Sequence, residues 1–160
     1  AWPTSGGFAA ARESRQLEIL TQIFNDRLFE GMRATDGAAY SPSVSNSWPF
    51  SYESGVYILV SSQVKPEKLD YFFKLIEDTA ADLVAKPVSD DELQRAVAPM
   101  RQLLSRASTG NAFWMSQLEG ATRDPRYADV TRSMGNDLLT VTAPEIQALA
   151  KKYLVPGKSW

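Results

Sequence analysis

The chain has 160 residues, 44% of them hydrophobic and 22% charged, with a net charge of −2 and neither cysteine nor histidine. That composition belongs to one globular domain long enough to bury a core without staples, and the charge gives no reason to expect nucleic acid or a membrane surface as partner. The missing histidine and cysteine exclude His-based zinc sites, disulfides, Ser-His-Asp and Cys-His nucleophile systems, and the usual neutral-pH general base.

Pro3, Gly6 and Gly7 make residues 1–8 an entry loop. A helix is predicted from about Ala9 to Ala34, because Leu17, Leu20, Phe24, Leu28 and Met32 recur at three- and four-residue steps. They form one apolar stripe facing a core, with Glu18, Gln22, Asn25 and Asp26 between them. Extended chain follows over Ala38 to Ser47. A loop with three aromatics, Trp48, Phe50 and Tyr52, leads to a strand from Gly55 to Gln63. That strand is apolar on both faces, which predicts a central place in its sheet.

Lys65-Pro66-Glu67 opens the next helix, whose stripe is Leu69, Phe72, Phe73, Ile76, Ala80 and Leu83. Ser89-Asp90-Asp91-Glu92 is a capping box that starts another, and Pro99 should kink it. The three adjacent acids could suggest a metal, but capping explains them better and nothing supplies further ligands. Asn111 is an expected N-cap for a short helix to Gly120 that buries Phe113, Trp114, Met115 and Leu118. A helix from about Ala128 to Leu139 follows. Thr142-Ala143-Pro144-Glu145 is a second capping box, opening a last helix to Leu154. The order of helix, strands and a run of helices predicts an α+β fold, with a mostly antiparallel sheet backed by helices on one face. No linker divides residues 1–160, so a single domain is expected. The start without Met and the turn at Pro156-Gly157 before Trp160 suggest a segment excised from a longer chain.

Arg33 to Ser41, reading Arg-Ala-Thr-Asp-Gly-Ala-Ala-Tyr-Ser, sits where the first helix must end and extended chain begin. Gly37 can take the left-handed conformation that closes a helix. Arg33 then falls in the last helical turn and Tyr40 just inside the next strand. Such a reversal can bring a guanidinium and a phenol to one edge of the fold, a pair suited to a peptide carbonyl or a developing oxyanion. Capping and propensity explain the same two residues without function: arginine favours a helix C-terminus and tyrosine a strand.

An Arg near a helix end, a Gly, then Ala-Tyr-Ser with the Tyr seven residues after the Arg resembles the C-terminal half of the M16 (pitrilysin/insulinase) zinc peptidases. The likeness extends to Val64–Lys68, Val88–Leu93 and the Thr-Ala-Pro-Glu-Ile opening of the last helix, although these are caps and core. Ala34 departs from the Glu that often follows the Arg. The resemblance implies an M16 metallopeptidase-like half whose flanking strands lie outside the segment. It implies no metal in this chain, with Zn2+ expected in the N-terminal half of the parent. There a zinc-polarised water attacks the peptide bond and a glutamate of that half handles the proton. Tyr40 is then the catalytic oxyanion donor, and Arg33 with Tyr40 forms the substrate-binding pair. The implied partners are the zinc-bearing half, on the same or another chain, and a peptide substrate. The alternatives are a non-catalytic M16-like scaffold or substrate-holding subunit, and an unrelated α+β binding domain. The Trp-Pro-Thr-Ser-Gly-Gly-Phe opening is similar to bacterial M16 proteins exported to the periplasm.

Overall fold

Apolar residues on several sides of the first helix make it the axis of the molecule. In the computed structural model, which describes residues 1–33, 42–48 and 52–160, this helix is α1 (Ala11–Arg33). It follows β1 (Trp2–Pro3) and a 3-10 turn at Phe8–Ala10. Then come β2 (Ser43–Ser47), β3 (Tyr57–Ser61), a second 3-10 turn at Pro66–Lys68, α2 (Leu69–Ala85), α3 (Asp90–Ala107), α4 (Asn111–Gln117), α5 (Arg126–Leu139) and α6 (Ala143–Tyr153). The sheet order is β1-β3-β2, antiparallel throughout, so β3 is central as its composition predicts. The α+β expectation holds.

Along β3, Ile58 is fully buried against the helices while Leu59 is 37% exposed. Among the described residues, then, the sheet is covered on one face only. Trp2 from β1 packs its ring on Phe24 of α1. Phe24, Leu17, Leu20, Ile23 and Leu28 are at or near complete burial, each stabilising the fold by about 1.5–3 kcal/mol relative to an exposed side chain.

The single stripe expected on α1 is too narrow. Ser14, Arg15, Gln16 and Thr21 are buried as well, because α2, α3, α5 and α6 all pack around the same helix. Arg15 is held by a buried ion pair: its Nη1 donates to Asp137 Oδ2 at 2.7 Å, with both side chains 6% exposed. Its Nη2 donates to the Val130 carbonyl at 2.6 Å, and Ser133 donates to the same Asp137 oxygen. Thus α5 is fastened to α1.

Both capping boxes form and each does a second job. Glu92 accepts from the Ser89 amide and, through its other oxygen, from Arg27 Nε at 2.8 Å. Glu145 accepts from the Thr142 amide and from Arg12 and Gln16. Two cap acids therefore tie α3 and α6 to α1.

Four further expectations fail. The entry loop expected over residues 1–8 contains β1, which pairs with β3. Leu69 and Phe73 of α2 are exposed, the latter 60%, since they lie on a flank that no other described element covers. Asn111 is the first residue of α4 rather than its cap, and Gly110 holds the cap position. The α4 face is not buried: Trp114 is 43% exposed, Phe113 is half-buried, and no residue of this helix is fully covered.

Asp137→Ala should destabilise the fold by about 3–5 kcal/mol, because it strands a buried guanidinium. Arg15→Met combined with Asp137→Leu should recover most of that loss. Urea unfolding midpoints at constant slope check this, and an Asp137→Ala cost below about 1 kcal/mol would show that water screens the pair.

The Arg27 hydrogen bond, opposed by partial burial and aided by the Ser89 contacts, lowers the Glu92 pKa from 4.5 to about 2. A depressed carboxylate contributes stability that is complete above its unfolded pKa and disappears as pH falls through the folded value. Glu92→Gln should therefore lower stability at neutral pH and flatten its decline between about pH 4.5 and 2. Unfolding measured at several pH values in that window, with the two proteins falling in parallel, would refute the assignment.

Candidate substrate-facing site at the end of the first helix

Among the described residues α1 reaches Arg33. Arg33 is exposed, its guanidinium carbon 4.3 Å from the centre of the Phe29 ring one turn earlier. It has no ion pair among the described residues. Tyr40 lies outside the described residues, with Ala34, Thr35, Asp36 and Gly37, so the structure locates one member of the expected pair. Pro49 and Phe50 of the aromatic loop lie outside them too.

On the far side of that segment the chain returns along α1. The Val44 amide donates to Asn25 Oδ1 at 3.3 Å, and Asn46 Nδ2 donates to the Ser14 hydroxyl at 2.7 Å and carbonyl at 3.0 Å. β2 therefore runs antiparallel to the helix, from the level of Asn25 towards its start. Asn25 and Asn46, which set the return path, gave no sequence signal beyond their polarity.

α2 braces the same end from another side. Gly31 permits the close approach, since a Cβ there would stand 2.6 Å from Leu75 Cδ1. The Tyr71 hydroxyl donates to the Gly31 carbonyl at 2.9 Å, satisfying one of the last-turn acceptors that a helix leaves without an internal partner. Among the described residues no group of three or more His, Cys, Asp or Glu is placed to hold a metal ion. No described helix is long and apolar enough to cross a membrane.

No protein-family model and no curated protein sequence matches the chain. Solved structures do. A protein assigned as a zinc protease from Bordetella pertussis Tohama I superposes over 98% of this chain and 87% of its own, with a TM-score of 0.76 and 16% identity. A peptidase M16 inactive domain from Pseudomonas fluorescens superposes over 96% of this chain and 37% of its own, with a TM-score of 0.71 and 18% identity. The fold is that of an M16 peptidase half. The periplasmic protease PqqL from Escherichia coli shares this M16 fold over 96% of the present chain, at a TM-score of 0.65 and 18% identity. The chain spans only 17% of PqqL, so the similarity concerns one part of a larger protein.

Tyr71→Phe removes one hydroxyl and leaves the Gly31 carbonyl to water. It should cost about 0.5–1.5 kcal/mol and quicken amide exchange in the last turn of α1 more than elsewhere. Uniform exchange across α1 in the variant would show that the bond does not brace this end.

Proposed function

We propose that this chain is the substrate-binding, zinc-free C-terminal half of an M16-type zinc metalloendopeptidase, inactive alone and complemented by a zinc-bearing half. The observation that supports it most is an M16 peptidase fold over nearly the whole chain, in a sequence with no histidine to ligate zinc. When bound in the partner half, zinc would supply the Lewis acid that polarises water. This chain's residues hold the substrate. Arg33 presents forked donors to a backbone carbonyl or carboxylate, and the Tyr40 hydroxyl donates to the oxyanion that develops on the attacked carbonyl. A periplasmic location is part of the proposal, supported by the likeness to PqqL.

The test uses the chain together with its zinc half. Tyr40→Phe deletes a donor used in the transition state, so kcat should fall by about tenfold to a thousandfold with KM little changed. Arg33→Ala removes a contact made earlier as well, so KM should rise. Both variants should melt within a few degrees of the parent. Unchanged turnover in both would defeat the catalytic reading and leave a non-catalytic scaffold, which the inactive M16 domain from Pseudomonas fluorescens favours.

A further inference from the structure

Residues 101–123 take in the last turns of α3 and all of α4, and the pattern that buries the start of α3 stops before them. Leu93, Ala96 and Val97 belong to the apolar core, and Met100 packs on its margin. No residue from Arg101 to Arg123 is buried, and none joins that core. Pro99 marks the boundary. It has no N–H to donate, so the Arg95 carbonyl lacks its helical donor. The backbone ladder of α3 is thus interrupted where its packing ends.

At the other end the chain becomes firm again at Asp124. Its carboxylate accepts from the Arg126 amide at 3.0 Å and from the Arg126 guanidinium at 2.7 Å. Gly120, at φ +89°, sets the turn just before it, and a Cβ there would stand 3.2 Å from the Tyr127 ring. Internal bonds hold the stretch together. Trp114 Nε1 donates to the Ser108 carbonyl at 2.8 Å, and the Gly110 amide to the Ala107 carbonyl at 3.0 Å. Towards α5, Leu104 reaches Gly135, its Cδ2 3.8 Å from the place a Cβ would occupy. The buried Thr131 hydroxyl shares its proton between the Tyr127 carbonyl at 2.8 Å and the Gln117 carbonyl at 3.0 Å. The second of these bonds ties α4 to α5.

We infer that residues 101–123 are a flap that opens from α5 as a unit while the core stays folded. It is hinged at Pro99 and Gly120 and latched by the Thr131 hydroxyl. The free energy of a local opening is set by the buried apolar contacts and shielded hydrogen bonds it breaks. The flap has few of either, whereas α1 is enclosed by the sheet and four helices. Opening uncovers the outer strip of α5 that carries Thr131 and Gly135. It spares the Arg15–Asp137 pair, which fastens the opposite side of α5 to α1. The domain thereby has a second conformation that leaves α1 and the sheet undisturbed. The proposal does not depend on the peptidase reading.

The experiment is native-state amide hydrogen exchange on the whole chain, read by mass spectrometry. Amides of residues 101–123 should exchange at least about a hundredfold faster than those of residues 17–28, at similar opening rates along the stretch. Urea below the unfolding transition should hardly change the flap rate, because a local opening exposes little surface, while it quickens α1. Thr131→Val keeps the side-chain shape and removes the latch, so flap exchange should quicken about two- to fivefold, and Thr131→Ser should restore it. Gly120→Ala forces a strained φ and crowds Tyr127, and should quicken the flap as well. Leu28→Val, a truncation in the core, should speed α1 exchange about three- to tenfold and leave the flap rate as in the parent. Flap amides as slow as those of α1, a urea dependence as steep as theirs, or a flap rate that Leu28→Val raises in step with α1 would overturn the inference. So would a flap rate indifferent to both Thr131→Val and Gly120→Ala.

Discussion

Enclosing one helix on nearly every side has a cost that the rest of the fold is arranged to meet. α1 lies under the sheet and among four other helices, so polar groups on its turns cannot turn to water. Each buried one must find a partner or destabilise the fold. Arg15 is the extreme case, a permanent cation with 6% of its side chain exposed. Its desolvation is offset only because Asp137, Ser133 and the Val130 carbonyl converge on it from α5. A buried pair of this kind adds little net stability compared with apolar residues of the same size. What it does is penalise any other docking of α5, since a shift of one turn would leave both charges unpaired.

The same logic recurs at the two capping boxes. A cap glutamate normally serves only its own helix start. Here the second oxygen of Glu92 reaches Arg27, and that of Glu145 reaches Arg12 and Gln16. Local structure and tertiary packing are thereby coupled: the first turns of α3 and α6 are ordered by the contacts that fix their positions on α1. Asn25 and Asn46 extend the pattern to β2. Donors and acceptors along one rod thus decide where four separate elements lie.

This explains which parts of the molecule could be read in advance. Helix existence followed from caps and spacing, because Ser89-Glu92 and Thr142-Glu145 are local chemistry and act within one turn. The central place of β3 followed from its unbroken apolar run. The destinations of Arg15 and Arg12 did not, since pairing across more than a hundred residues leaves no periodic trace. The apolar run in α4 misled for a related reason. Phe113, Trp114, Met115 and Leu118 have the spacing of a buried face, but spacing does not say whether anything covers that face. At the candidate site the helical state of Arg33 was legible. The brace from Tyr71 was not, because a tyrosine on a helix flank gives no hint of which carbonyl it will meet.

The state of Arg33 bears on how it could work. A free arginine side chain carries about 2 kcal/mol of rotamer entropy, part of which any ligand contact must forfeit. Stacking on Phe29 restricts those rotamers beforehand through an attraction of about 0.5–1 kcal/mol at an exposed site. A parallel stack would leave the guanidinium N–H donors in their plane, where a carboxylate or carbonyl could approach edge-on. A salt bridge would have consumed that edge instead. Phe29 restricts the cation, which meets no acid among the described residues, and the turn that carries both is pinned at Gly31 by Tyr71 and Leu75. If Arg33 binds substrate as proposed, a side chain restricted in this way would lose less rotamer freedom on meeting it than an unrestrained one.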